Sequence, residues 1–192
     1  MMMLRTLAVA SLVVMIALAG CVPSLHPFYT NADLVLEPKL EGTWKEPDTA
    51  ATWSITRAAD RGAGGYVIVQ NDADGKRGEF IGRLAKVEGK LFLDITPAEP
   101  QIERASDFYK MQLMPVHMII SIQQVEPTLK ATMLDVEWMK KFVQASPGAI
   151  SHEIVNDNVV LTASTKQLQQ FFVKHLATPG AYGEAMELTR TK

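Results

Sequence analysis

The chain has 192 residues, 19 of them basic and 21 acidic, with 47% hydrophobic and 21% charged side chains. This profile excludes a disordered or collagen-like chain and suits one domain, at roughly 100–200 residues each. A net charge of -2 provides no basic surface for nucleic acid, so no nucleic-acid partner is expected.

The first informative stretch is the N-terminus. Arg5 gives a short positive region, and Leu7 to Ala19 is an apolar run interrupted only by Ser11. An export-signal core needs about 7–15 apolar residues, whereas a spanning helix needs roughly 20. The run therefore predicts a cleaved signal over residues 1–20. It ends in Leu18-Ala19-Gly20-Cys21, and Cys21 is the only cysteine. These four residues resemble the lipobox of bacterial lipoproteins. The resemblance implies cleavage between Gly20 and Cys21 and acylation of Cys21, with palmitate-type chains holding the protein on a membrane. Two or three acyl chains anchor stably where one binds marginally. Residue 22 is Val rather than Asp. By the same resemblance, that places the protein in the bacterial cell envelope, on the periplasmic side of the outer membrane if the host has two membranes. With no second cysteine, the chain holds no intramolecular disulfide and no cysteine-based metal centre.

Residues 21–40 read as a lipidated tether that becomes a docking segment. Pro23, Pro27 and Pro38 oppose regular structure, and Phe28 and Tyr29 are its candidate anchors. His26-Pro27-Phe28-Tyr29 resembles the stretch that follows the cysteine in an uncharacterised group of bacterial lipoproteins; no activity comes with that likeness.

A single domain is expected over 41–192. Period-2 alternation predicts strands at Thr52–Arg57, Tyr66–Gln70 and Lys76–Val87, and around Leu91, Leu93 and Ile95. Asp74-Gly75 and Glu88-Gly89 are the turns between them. Further strands are expected at Phe108–Leu113, from Met118, and at Leu129–Leu134. Asp135 can cap a helix whose apolar side is Val136, Met139, Phe142 and Val143, with Trp138 reaching Phe142. Ser164 and Gln167 form a capping box before a second helix, buried through Leu168, Phe171, Phe172 and Leu176. A hairpin over Asn156-Asp157-Asn158 lies between the helices, and Ala185–Arg190 closes the chain.

The fold class is mainly β (α+β). It is an antiparallel meander, a barrel of about 8–10 strands with two helices inserted between late strands; an open sheet is the alternative. Gly42-Thr43-Trp44 opens the meander and Arg190 ends it. This pattern resembles the calycin barrels of lipocalins, in which Gly-x-Trp opens the first strand and a late basic residue packs over the Trp. The resemblance implies that Gly42, Trp44 and Arg190 cap one end of the barrel. Lipocalins carry one helix after the eighth strand, so the two helices here depart from their plan.

No nucleophile elbow, phosphate loop or dinucleotide fingerprint occurs. Met111, Met114, His117 and Met118 have copper-type ligands, but neighbouring methionines on a strand face opposite ways and methionine is a common core filler. Asp94, Glu99, Glu103 and Asp107 read as a solvated polar connection. Asp72-Ala73-Asp74-Gly75 reads as a turn, because Ile81 stands where a calcium loop needs Glu. His175, near a helix C-terminus, reads as a cation favoured by the dipole. No cofactor, metal or enzymatic activity is expected. The expected function is a non-enzymatic envelope lipoprotein that binds an apolar or amphiphilic small molecule in its barrel. The alternative is a structural or assembly lipoprotein contacting envelope proteins through its surface.

Overall fold

The structure is a computed structural model that describes residues 21–99 and 105–191. The leader reading, Gly20 included, and Glu103 lie outside the described residues.

Alternating side chains build a closed antiparallel barrel of eight strands. In chain order these are β1 (Gly42–Lys45), β2 (Thr52–Arg57), β3 (Gly65–Asn71), β4 (Arg77–Val87), β5 (Lys90–Pro97), β6 (Met118–Gln124), β7 (Thr128–Thr132) and β10 (Met186–Arg190). Neighbours in sequence are neighbours in space, except that β10 inserts between β7 and β1 to complete the ring. Closure leaves no unpaired edge for another chain to extend. Inside, Trp44, Ile55, Ile68, Leu84, Leu93, Ile120, Ile122, Leu129 and Leu188 interlock. Gly82 makes room for this layer, since a Cβ there would press on Ile68 at 2.8 Å.

The turns follow local chemistry. Asp72 Oδ1 accepts the backbone N–H groups of Asp74 (2.9 Å) and Lys76 (2.8 Å), and Gly75 takes the positive φ of 81° that the hairpin needs. Successive strands alternate in direction, so the barrel has two distinct ends. One carries Leu40, the Glu88-Gly89 turn and Glu126, and is called here the closed end. The far end carries the β3–β4 hairpin, the β5–β6 connection and the long excursion between β7 and β10.

That excursion holds α2 (Val136–Ala145), α3 (Thr165–His175) and a separate hairpin of β8 (His152–Val155) and β9 (Asn158–Leu161). Asp135 caps α2 by accepting the Trp138 N–H at 2.7 Å. Ser164 N–H donates to Gln167 Oε1 at 3.1 Å at the start of α3. The expected strand at Phe108–Leu113 is instead a single helical turn, α1 (Asp107–Lys110). Ser106 Oγ accepts the Tyr109 N–H at 3.3 Å and starts that turn. Phe108, Tyr109 and Met111 are exposed and have no sheet to face, so the alternation there carries no burial.

A second core lies outside the barrel. Phe92 and Ile119 point outward from the sheet and pack with Phe28, Leu161, Leu168 and Phe172. Trp138 stacks on Phe142 at 4.9 Å, as their i, i+4 spacing predicts. His175 stands among Trp138 (5.2 Å), Phe142 (5.1 Å) and Phe171 (4.6 Å). Burial there, with Lys174 beside it, holds the imidazole below its ordinary value. His175 is thus favoured as the neutral ring, and burial outweighs the helix dipole. The sign follows from linkage: the unfolded state takes up the proton first as pH falls. Stability from this site is complete above about pH 6.5 and declines below it, toward the lowered native value. Urea midpoints should fall between pH 7 and pH 5, and His175→Phe should flatten that fall. An identical pH profile in the variant would remove the assignment.

Candidate functional site

Three places collect the residues that matter. The first is the closed end. Trp44 is fully buried, and its indole N–H donates to Leu40 O at 2.9 Å. Arg190 lies over its ring, 4.2 Å from the centroid. The same guanidinium donates to the carbonyls of Glu41 and Lys39, and Glu126 approaches it at 3.8 Å. Gly42 has φ of 138°, and a Cβ there would overlap the Arg190 side chain. Gly42, Trp44 and Arg190 therefore meet, although the last stands far along the chain. Trp44 and Arg190 together hold the carbonyls of Lys39, Leu40 and Glu41, and Leu40 is fully buried across this end of the barrel. Gly42→Ala should cost about 1–3 kcal/mol from the backbone alone, with more as Arg190 is displaced. A urea midpoint equal to that of the parent would contradict this.

The second place is the barrel interior. It holds a void of about 30 Å3, lined by Trp53, Ile55, Leu93, Ile120, Met186 and their neighbours. Small-molecule sites span about 300–1,000 Å3. The void falls well below that range.

The third is the docked N-terminal segment. Ser24 and His117 exchange backbone hydrogen bonds of 2.9 and 2.8 Å, where β7 has turned away from β6. On its other side the segment pairs with β9: Leu161 N–H donates to Pro23 O at 2.8 Å and Leu25 N–H to Leu161 O at 2.9 Å. It thereby joins the barrel wall to the outer hairpin. Phe28 then inserts between Phe92 (4.5 Å) and Phe172 (5.4 Å). Asp94, only 1% exposed, accepts the Phe28 N–H at 2.8 Å and faces His117 Nδ1 at 2.8 Å through its other oxygen. Gln169 donates to Phe28 O (2.8 Å) and to Asp33 (2.9 Å). Further along, Val35 N–H donates to Leu84 O at 3.0 Å. Gly64 must be glycine here, since a Cβ would lie 2.7 Å from Leu84 O and 2.9 Å from Val35 O.

Asp94 belongs to this clamp and not to a solvated acidic loop. Sequence reading missed that role. Its one signal was Phe92 two residues earlier, an aromatic side chain on the outward face of a strand. Ser24, His117 and Asp94 adjoin, but the Ser24 hydroxyl donates to His26 O at 2.8 Å and accepts the His26 N–H at 3.1 Å. The three form a latch for the segment. The methionines do not converge on His117, because Met111 and Met114 are exposed while Met118 packs with the barrel interior.

Cys21 begins the described chain. It is half-buried, with Sγ 3.8 Å from Met133 Sδ. Burial pushes its thiol up and favours the neutral form. Among the described residues no helix is long and apolar enough to cross a membrane.

The closed eight-stranded meander with its capped end defines a calycin-like barrel. No protein-family model, curated protein or solved structure matches the chain.

Proposed function

We propose that the protein is a lipid-anchored lipoprotein of the bacterial envelope whose filled barrel is a rigid, non-enzymatic platform for contacts with envelope proteins. The lipobox supports the anchor. The void of about 30 Å3 carries the platform reading, because a ligand of ordinary size has no room inside. The docked segment fits the same role. It runs from Cys21 along the outer wall to the closed end, so the barrel is held against its own anchor and does not swing on a free tether. An uncharged thioether at Cys21 suits a half-buried site beside Met133.

Cys21→Ala should abolish acylation and leave an unprocessed precursor that washes off membranes. A variant that is still cleaved and still membrane-bound would overturn the anchor. Site-specific crosslinking from the barrel's outer face in intact cells should capture a discrete envelope protein. The ligand reading retains one favourable feature: the void is lined wholly by apolar side chains, and Met186 beside it can repack. A small molecule that copurifies in stoichiometric amount would favour that reading over the platform.

A further inference from the structure

The barrel is closed, but the layer outside it has an open edge. The docked segment bonds to His117 on the barrel wall and to Leu161 of β9, so β9 is covered on that side. Its other side pairs with β8, in a register that sets Val155 against Asn158 and His152 against Leu161. Asn156 and Asp157, both at positive φ, make the two-residue turn, which fixes Val155 and Asn158 as the first hydrogen-bonded pair. Glu153 and Val160 are then the next such pair, and Ser151 O accepts the Thr162 N–H at 2.9 Å in the same sense. By the same alternation Leu161 points away from β8, where its bonds to the docked segment are found. His152 and Ile154 therefore turn their backbone N–H and C=O groups away from β9, and no backbone group among the described residues pairs with them. Ile154 and Val155 on this edge are 55% and 51% exposed. A groove of about 380 Å3 lies between β8 and α2, with Val143, Pro147 and Ile154 as its apolar lining and Lys140, Gln144 and His152 around them.

The edge itself selects its occupant, because a row of outward N–H and C=O groups is matched group for group by another extended backbone. We infer that β8 accepts an extended segment of a partner envelope protein as an added antiparallel strand, with apolar side chains opposite His152 and Ile154 and a basic side chain opposite Glu153. This deepens the platform reading and rests on it. Residues opposite each other in an antiparallel pair share a face of the sheet. The segment's residues opposite His152 and Ile154 thus overlie the groove beside α2 and meet its apolar lining. Glu153 is exposed on the reverse face, where a Lys or Arg directly opposite is favoured. A second copy of this chain does not fit. Two β8 strands paired antiparallel through His152 and Ile154 set the two Glu153 side chains directly opposite each other, where like charges repel.

The test uses the full chain expressed in its native cells, with p-benzoylphenylalanine replacing Val155 beside the edge, or replacing exposed Thr56 on the barrel wall. Irradiation of intact cells should give a protein adduct at position 155. Its crosslinked peptide, read by mass, should belong to another envelope protein and hold a Lys or Arg among apolar residues. Ile154→Pro removes an outward N–H, which an edge strand tolerates, and blocks the ladder to an added strand. It should lower the yield about ten-fold or more. Glu153→Lys, at an exposed position, turns attraction into repulsion and should lower the yield about three-fold or more. Protection of the Leu161 amide from exchange reports that the hairpin is still docked; where Ile154→Pro loses it, Glu153→Lys decides alone. An adduct with a second copy of this chain, a yield that a folded variant leaves unchanged, or no protein adduct at 155 would overturn the inference. Protein adducts at 56 without any at 155 sink the edge contact alone. None at either position sinks the platform reading with it.

Discussion

Trp44→Ala should lower the melting temperature by about 10 °C or more. Truncating a fully buried Trp costs about 3–5 kcal/mol, and each kcal/mol moves Tm by about 2–4 °C for a domain of this size. Two further losses fall on the same residue. The Leu40 carbonyl loses its indole donor, and Arg190 loses the ring it lies on, a contact of about 0.5–2 kcal/mol. The damage should spread, because Leu40, Glu41 and Arg190 are held through the same cluster. Trp44→Phe should be milder, since it keeps most of the packing and loses the hydrogen bond. Calorimetry of both variants checks this. An unchanged melting curve for Trp44→Ala would mean that the closed end does not hold the barrel shut.

Phe28→Ala should release the docked segment while leaving the barrel closed. Its ring fills the space between Phe92 and Phe172 and is entirely buried. Removing it costs about 3–5 kcal/mol. A loss of about 3 kcal/mol confined to the segment corresponds to roughly 100-fold faster local opening. Hydrogen exchange should therefore accelerate about 100-fold at the amides of Ser24, Leu25 and Val35, which bond across to the barrel and hairpin. Amides of β5 and β6 inside the ring should keep their protection. Uniform acceleration everywhere would mean that segment and barrel unfold as one unit. Unchanged exchange at Ser24 and Leu25 would mean that Phe28 does not hold the segment.

Much of this architecture is legible in the residues. The meander is readable because each strand buries one face, which forces period-2 alternation, and the turns carry Gly where positive φ is required. The helices are readable from Asp135 and Ser164 at their starts. The Gly42, Trp44 and Arg190 cluster is readable only through a family resemblance, since nothing local links Arg190 to a glycine so far upstream. Two features are hidden for physical reasons. Alternation does not say which sheet a strand joins, so the β8–β9 hairpin looks like further barrel wall. Strand periodicity also assumes a buried face, and Phe108–Leu113 has none, so its apolar residues imitate a strand. Asp94 escapes notice because an outward carboxylate on a strand normally meets water. Here the N-terminal segment covers it, and the segment's prolines give no sign of where it docks.

The most direct test is the mass of the full protein extracted gently from its own membranes, measured first in the native state and then after denaturation. The account predicts a chain that begins at Cys21, carries acyl groups there, and has the same mass in both states. A chain that begins at Met1 without acylation would contradict the anchor. A stoichiometric small molecule lost on denaturation would contradict the filled barrel.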